Sequence, residues 1–264
     1  MKEPILQILP VIDLQGGIVV RGVAGQRALY RPVESVLCET AKPGDVARAF
    51  ADKCGFRRVY VADLDAISRR VPRPDAWREI ASAGLELWLD AGVQTPDDLK
   101  PLLEFAGQEP RLTGVVLGLE SSPDPETLRT CFEILGPEKA IFSLDLREGQ
   151  PWTESPAWRS FSPEQIAAQA VQIGFLQIIL LDVASVGVSK GVSVREFAAG
   201  CVRRWPEKHW LAAGGVQNEH DLQNLTEIGC FGVLIASALH AGTLQVSRNP
   251  KPETRNPSQA LPLT

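Results

Sequence analysis

Short apolar runs alternate along this chain with longer amphipathic segments. Eight runs rich in Val, Ile and Leu occur at residues 8–14, 57–63, 85–89, 113–118, 140–145, 177–182, 210–213 and 231–236. Continuous apolar runs of this length are typical of strands that are buried on both faces of a parallel sheet. The pattern therefore predicts eight parallel strands.

The segments between these runs carry helix signals. Several begin with Ser, Thr or Asp followed by Pro and an early acidic residue, and they end at Gly, as capped helices do. The segments lie at 43–55, 73–84, 95–107, 122–136, 162–174, 193–205 and 218–229, with a short closing helix at 237–245. A strand followed by a helix eight times predicts right-handed crossovers and one parallel sheet.

The two halves of the chain resemble each other. Residues 90–99 read DAGVQTPDDL and residues 213–222 read AGGVQNEHDL. Three further pairs follow in the same order: 8–17 with 141–150, 60–66 with 179–185, and 114–119 with 232–237. The period is far longer than the roughly 20–50 residues of solenoid repeats. We therefore predict an α/β fold, a (β/α)8 TIM barrel built from two repeated half-barrels.

The domain prediction follows from this repeat. We expect a single barrel over 1–247, with half-barrels at about 8–136 and 137–247. The remaining residues, 248–264, are Pro-rich and polar and predict a disordered C-terminal tail.

Composition narrows the possible partners and compartment. The net charge of −5 argues against nucleic acid as a partner. The five cysteines are scattered and lack metal-type pairs, which indicates a reducing compartment. No apolar run reaches the roughly 18 residues of a membrane span. We expect a cytoplasmic protein without membrane association, and a monomer.

Aspartates follow several of the predicted strands, where the chemistry of such barrels takes place. They are Asp13, Asp63, Asp65, Asp90, Asp145 and Asp182. Asp13 and Asp145 are related by the repeat, and apolar neighbours raise the pKa of such carboxyl groups, so these two are the preferred catalytic candidates. Asp63 and Asp65 equally suit the capping of the loops that follow them.

Glycine turns in the second half predict an anion site. Gly214-Gly215 follows the seventh strand and leads into a helix, and Ala236-Ser237 follows the eighth. Backbone N–H groups at such turns converge on anions, and the loops after strands 7 and 8 are the usual phosphate site of these barrels. A phosphorylated small molecule is therefore the expected ligand.

Four segments carry a resemblance to a known family: LPVIDLQGGIVVRG (9–22), SLDLREG (143–149), AAGGVQ (212–217) and GVLIASAL (232–239). They resemble the histidine-biosynthesis barrel family over roughly 8–245, and the opening segment is closer to its isomerase branch. The resemblance implies conversion of an aminoaldose to an aminoketose, without metal or cofactor. It also implies acid/base catalysis by two aspartates, which are Asp13 and Asp145 here.

Position and resemblance together select further contact residues. Candidates for substrate or phosphate binding are Arg21, Gly92, Gly118, Arg147, Asp182, Gly187, Gly214, Gly215, Ala236 and Ser237. Arg27, Arg31, Trp152 and Trp158 are candidate lid contacts. The arginines suit an anion clamp or a solvated loop, and the tryptophans suit stacking on a ring or packing of their own loop. The three histidines show no metal-ligand spacing, so no metal site is expected.

The first half departs from the family pattern. The family isomerase carries a Gly-Gly-Gly-Ile-Arg turn after strand 3 and Gly-Thr after strand 4, whereas this chain has DAGVQ at 90–94 and Gly118-Leu119. A carboxylate near a phosphate is unfavourable, and Gln lacks the bidentate donor pair of Arg. The first loop, with Arg27 and Arg31, resembles a divergent side branch of the family. These departures indicate an altered ligand.

Three functional hypotheses follow. The first is the family's aldose–ketose isomerase. The second is a related barrel enzyme that acts on a smaller, singly phosphorylated sugar or adduct in another pathway, such as a cofactor or one-carbon pathway. The third is a phosphate-binding barrel that has lost catalysis.

Overall fold

A closed barrel of parallel strands forms the centre of the molecule. The computed structural model describes residues 6–188 and 192–244. Its barrel strands are β1 (Gln7–Gln15), β2 (Arg58–Asp63), β3 (Glu86–Asp90), β4 (Leu112–Gly118), β5 (Ala140–Arg147), β6 (Gln177–Asp182), β7 (His209–Ala213) and β8 (Gly232–Ile235). Each strand pairs with the next, and Gln7 to Pro10 of β1 pair with Gly232 to Ile235 of β8. The predicted (β/α)8 barrel is confirmed.

Helices surround the barrel, and most of them overlap the predicted helical segments. They are α1 (Pro43–Arg48), α2 (Leu64–Arg69), α3 (Pro74–Ser82), α4 (Leu99–Gln108), α5 (Pro125–Leu135), α6 (Pro163–Ile173), α7 (Arg195–Arg204), α8 (Glu219–Ile228) and α9 (Ser237–His240). A π-helical turn, Ala49–Lys53, extends α1, and a 3-10 turn, Pro96–Asp98, precedes α4. Within the described ranges, no helix combines the length and apolar character needed to cross a membrane.

Some elements lack a signal in the apolar pattern. Helix α2 follows β2 directly, and the first loop forms a small hairpin from Ile18–Arg21 and Arg31–Pro32. A two-residue strand, Gln150–Pro151, pairs with the end of β5. These elements extend above the strand ends, so they shape the loop side of the barrel. The predicted tail, 248–264, lies outside the described residues.

Side chains alternate between two apolar layers along each strand. One face of the sheet packs against the helices, and the other fills the barrel interior with residues such as Leu9, Trp88 and Ile179. Gly114 makes room for the interior Trp88, because a Cβ there would lie 2.7 Å from the indole and 2.5 Å from Ile141. The interior below the loop side is therefore solidly packed.

Asp63 ends β2 and faces outward from the barrel, where it is fully buried. Its Oδ1 atom accepts the backbone N–H of Ala66 at 3.0 Å. Its Oδ2 atom accepts the backbone N–H of Arg73 at 2.8 Å and the indole N–H of Trp77 at 2.9 Å. The carboxylate therefore fixes the start of α2 and ties it to α3, as the capping alternative predicts.

We expect Asp63→Ala to lower the free energy of unfolding by about 2–4 kcal/mol, because three buried donors lose their acceptor. Urea denaturation at neutral pH measures this change. Asp75→Ala is the matched control, since that side chain is 96% exposed, and we expect an effect within about 0.5 kcal/mol. Equal effects of the two substitutions would contradict the structural role of Asp63.

Candidate functional site

One layer of inward-facing side chains closes the top of the barrel interior. Side chains alternate between the two faces of each strand, so every second residue points into the barrel. The residues of this layer each lie two positions after a residue of the packed interior, such as Tyr60, Trp88, Val116 or Leu211. The layer contains, in strand order, Asp13, Ala62, Asp90, Gly118, Asp145, Leu181, Ala213 and Ala236, and all of them line one cavity. Closure of the sheet thus places the ends of β1 and β5 on opposite sides of this cavity.

The cavity measures about 490 Å³ and is open on the loop side. This volume is in the range of small-molecule sites. We call the part lined by Asp90, Gly118 and Glu120 the first-half end. The part lined by Gly214, Gly215, Ala236 and Ser237 is the second-half end.

Asp145 is buried at the end of β5. Its Oδ1 atom accepts the Ser143 hydroxyl at 2.6 Å, and its Oδ2 atom accepts the backbone N–H of Glu120 at 3.1 Å. Burial raises the pKa of Asp145 to about 8, although both hydrogen bonds oppose the shift. This carboxyl group therefore holds its proton at neutral pH.

Asp13 lies across the cavity at the end of β1 and is partly buried. The residues of the described part form no hydrogen bond to its carboxyl group. Burial raises the pKa of Asp13 to about 7, and the charge of Arg27 opposes this shift. Gly22 leaves room beside the carboxyl group, because a Cβ there would lie 3.2 Å from Oδ2 of Asp13. Asp13 is thus open to a ligand and titrates close to neutrality.

A third buried acid, Asp90, belongs to the first-half end. Its Oδ2 atom accepts the hydroxyl of Tyr60 at 3.2 Å, and its Oδ1 atom accepts the backbone N–H of Gly92 at 3.0 Å. Burial raises the pKa of Asp90 to about 6, and it also raises the pKa of Tyr60 well above the ordinary value. Tyr60 therefore stays a hydrogen-bond donor to Asp90.

Glu120 and Arg27 form an ion pair at the same end. Nη2 of Arg27 donates hydrogen bonds to both carboxylate oxygens of Glu120, each at 2.8 Å. Nη1 of Arg27 donates to the Ser68 hydroxyl at 2.8 Å. Burial raises the pKa of Glu120, and the charge of Arg27 opposes that shift. This pair connects the first loop to the loops after β2 and β4.

The first loop covers the cavity mouth and is also attached to the loop after β6. The backbone N–H of Ala24 donates to Val186 at 2.8 Å, and Arg21 donates to the carbonyl of Gly187 at 3.3 Å. Gly187 permits this approach, because a Cβ there would lie only 1.9 Å from the carbonyl oxygen of Gly22. The structure therefore shows the first loop folded over the site.

The glycine turn of the second-half end differs in chemistry. Gly214 and Gly215 adopt φ values of +91° and +80°, which favour glycine. A Cβ on Gly214 would lie 2.5 Å from the Ser185 hydroxyl, so no larger residue fits. Ser237 begins α9, where the first N–H groups of a helix have no partner within the helix. These turns offer backbone donors and no carboxylate, which suits an anion.

The structure brings most of the predicted contact residues to the cavity. Those that line it are Asp13, Arg21, Arg27, Gly118, Asp145, Trp152, Gly187, Gly214, Gly215, Ala236 and Ser237. Those that do not are Gly92, Arg31, Arg147, Trp158 and Asp182. Trp152 lies between two cations, with the guanidinium of Arg27 5.9 Å and that of Arg147 5.1 Å from its ring.

The residues outside the cavity have structural partners. Asp182 faces outward, and its carboxylate accepts the backbone N–H groups of Glu148, Gly149 and Ala184. Trp158 is completely buried in the outer core rather than in a lid. Arg31 donates to backbone carbonyls of its own loop. Gly92 lies beneath Ile67 of α2. Arg147 does not line the cavity, but its guanidinium stacks over Trp152 and lies beside Gly25, which do.

Sequence reasoning missed Tyr60, Ser143 and Glu120 in this site. The signal that could have found them is the two-residue alternation of a strand. Tyr60 lies two positions before Ala62, Ser143 two before Asp145, and Glu120 two after Gly118, so each shares the inner face with its neighbour. Within residues 6–188 and 192–244, no three His, Cys, Asp or Glu side chains are grouped so as to hold a metal ion.

Several known proteins are similar to this chain over almost its whole length. An uncharacterized protein of Methanocaldococcus jannaschii is 28% identical over 91% of this chain and 96% of its own length. An isomerase of Bacteroides thetaiotaomicron is 29% identical over 90% of this chain and 95% of its own. A third relative, an isomerase of Cenarchaeum symbiosum, is 28% identical over 91% and 97%. Both isomerases are named for an imidazole-4-carboxamide that carries two 5-phosphoribosyl groups.

A family comparison covers almost all of the described structure. The family model described as histidine biosynthesis protein matches residues 7–245, from the first residue of β1 to just beyond α9. This range includes every strand of the barrel and both ends of the cavity. The chain therefore belongs to the histidine biosynthesis protein family.

Proposed function

We propose that this chain is an isomerase that converts a phosphorylated aldose, or its amino derivative, to the corresponding ketose. The observation that carries the proposal is the pair of inward-facing carboxyl groups, Asp13 and Asp145, at the ends of opposite strands of one cavity. Relatives named as isomerases support the same class of reaction. Two titratable groups with separated pKa values are what proton transfer at two positions of a sugar requires.

The local environment assigns a role to each carboxyl group in this proposal. Asp145, with the higher pKa of about 8, acts as the acid and protonates the ring oxygen, which opens the ring. Asp13, with a pKa of about 7, acts as the base and removes the proton from C2. Ring opening leaves a C=O or C=N bond at C1, and loss of the C2 proton converts this to the enol form. The enol form becomes the ketose when Asp13 returns a proton to C1 and the hydroxyl on C2 loses its proton. No oxidant or reductant is needed, because the hydrogen atoms only change position.

The second-half end is the proposed phosphate site. The turns at Gly214-Gly215 and Ala236-Ser237 border the cavity and offer backbone N–H groups. A phosphate held there anchors the sugar between Asp13 and Asp145. Trp152 lines the cavity under Arg27 and is a candidate surface for a ring of the substrate.

A second candidate function is favoured by the acids of the first-half end. Asp90 and Glu120 lie where a second phosphate would meet negative charge, which favours a smaller sugar or adduct with one phosphate. The chemistry and the catalytic pair are the same in both candidates. A barrel that only binds phosphate would not need two carboxyl groups beside an anion.

Substitution of either aspartate tests the proposal. We expect Asp13→Asn and Asp145→Asn each to lower kcat by at least about 100-fold, since each removes one proton-transfer group. Turnover is measured with the two-phosphate aminoaldose named for the relatives and with singly phosphorylated aldoses. Asp75→Asn, on the outer surface, is the matched control. Full activity in either cavity variant, or no turnover of any of these sugars by the folded native protein, would refute it.

The two pKa values also predict the pH dependence of catalysis. The base must be ionised, so kcat/KM rises as Asp13 loses its proton near pH 7. The acid must be protonated, so kcat/KM falls as Asp145 loses its proton near pH 8. We expect a narrow bell-shaped profile between these limbs, measured from pH 5 to 10. A flat profile over this range would contradict the assignment.

The free energy of unfolding should also depend on the ionisation of Asp145. The folded chain retains a proton on Asp145 up to a pKa of about 8, whereas the ordinary value is 3.8, so ionisation opposes folding as pH rises through that window. We expect the stability advantage of Asp145→Asn over the native chain to grow by about 1–3 kcal/mol between pH 5 and pH 8.

Urea denaturation at the two pH values provides the measurement. Asp182→Asn is the control, because the two oxygens of that carboxylate accept three backbone N–H groups and an amide keeps only one acceptor oxygen. This variant should be less stable than the native chain at both pH values. An Asp145→Asn variant whose difference from the native chain is independent of pH would show that Asp145 is ionised throughout.

A further inference from the structure

The two ends of the cavity occupy equivalent places in the repeated halves but carry opposite chemistry. The repeat aligns Asp90 with Ala213, and it aligns Glu120 with Ala238. All four residues line the cavity. The first half thus presents two carboxyl groups where the second half presents two methyl groups.

The glycine turn of the first half is closed to a ligand. Gly92 aligns with Gly215, but its N–H group donates to Oδ1 of Asp90 at 3.0 Å. Helix α2 covers it, because a Cβ on Gly92 would lie 2.6 Å from the Cα atom of Ile67. Ile67 itself faces the cavity, whereas Gly92 does not. The donors that serve an anion in the second half are therefore occupied and covered in the first.

Glu120 determines whether the positive charge of Arg27 is available to a ligand at the first-half end. Arg27 is the cation that reaches this end from the first loop, and both oxygens of Glu120 are bonded to it. The two side chains are only 27% and 28% exposed, so water screens their charges partially. With Glu120 present, Arg27 is neutralised; without Glu120, Arg27 would offer a free guanidinium to an anion.

We propose that Glu120 is a specificity-determining residue that, through its ion pair with Arg27, excludes a second phosphate from the first-half end and restricts this chain to substrates with one phosphate. The part of the substrate that reaches Asp90 and Glu120 is uncharged or cationic, such as hydroxyl or amino groups. This inference rests on the proposed function in one respect, the placement of the single phosphate at the second-half end.

Binding of two matched probes tests the inference without requiring turnover. Ribulose 5-phosphate and ribulose 1,5-bisphosphate share one carbon chain and differ in the second phosphate. Calorimetric titration gives their affinities for the native protein and for Glu120→Gln. The substitution preserves the shape of the side chain and the backbone N–H that donates to Asp145. Thermal unfolding of each variant verifies that it is folded.

The native protein should bind the bisphosphate no more tightly than the monophosphate. In Glu120→Gln, the ratio of bisphosphate to monophosphate affinity should rise at least about tenfold, because one negative charge is lost and Arg27 is released. The double variant Glu120→Gln with Arg27→Gln should lose most of this gain. Glu34→Gln is the matched control, since Glu34 is an exposed acid on the rim of the same cavity, and its ratio should equal the native one.

Three outcomes would overturn the inference: tighter bisphosphate binding by the native protein, an unchanged ratio in Glu120→Gln, or an equal rise in Glu34→Gln. Failure of both folded proteins to bind either probe would also overturn it, because the variant should then hold two anion sites. Loss of turnover in the aspartate variants is a separate readout. The proposed isomerase can therefore fail while this binding selectivity holds, and the reverse is equally possible.

Discussion

Closure of eight parallel strands is the constraint on which the site depends. In a closed barrel every strand has one face toward the interior and one toward the helices, and consecutive residues alternate between them. This alternation decides which of the strand-end acids reach the cavity. Asp13, Asp90 and Asp145 fall on the inner face, whereas Asp63 and Asp182, each one position beyond an inner residue, fall on the outer face and bind backbone N–H groups.

The inner acids are all costly to ionise, and this cost raises their pKa values toward neutrality. Removal of a carboxylate from water favours its protonated form, and three such groups lie in one cavity. Arg27, a cation that lines this cavity, is already bonded to Glu120. The tightly packed interior below the acids prevents relaxation toward solvent. The structure therefore retains groups that are poised to exchange protons near neutral pH. The outward-facing Asp63 is buried too, but its carboxyl group is held by three hydrogen-bond donors.

The barrel could be predicted from the sequence because each strand shows its own apolar run and most helices show their own capping residues. These are local features that do not depend on the rest of the fold. The sequence also predicted that Asp13 and Asp145 lie at strand ends, and the structure places both on the inner face of the barrel. It misplaced Asp182 and Trp158 because the face of a strand-end residue, and the packing of an irregular loop, depend on register and on tertiary contacts. The two-residue alternation places Glu120 on the inner side, two positions beyond Gly118, but it does not indicate the ion pair that Glu120 forms. The role of Glu120 arises from Arg27, 93 residues away in the chain, and only the folded loop brings the two together.

Repetition of the half-barrel explains how the two ends of the cavity came to differ without damage to the fold. Equivalent turns keep equivalent structural bonds: Gln94 donates its backbone N–H to Asp98, and Gln217 donates to Asp221 in the same way. Neither Asp98 nor Asp221 lines the cavity, so these contacts hold the turns in both halves without occupying the site. The halves differ at an inward position instead, where the first half has Asp90, which accepts the backbone N–H of Gly92, and the second half has Ala213. A duplicated barrel can thus carry different charges at the two ends of one cavity while the strands that place Asp13 and Asp145 between them keep the same arrangement.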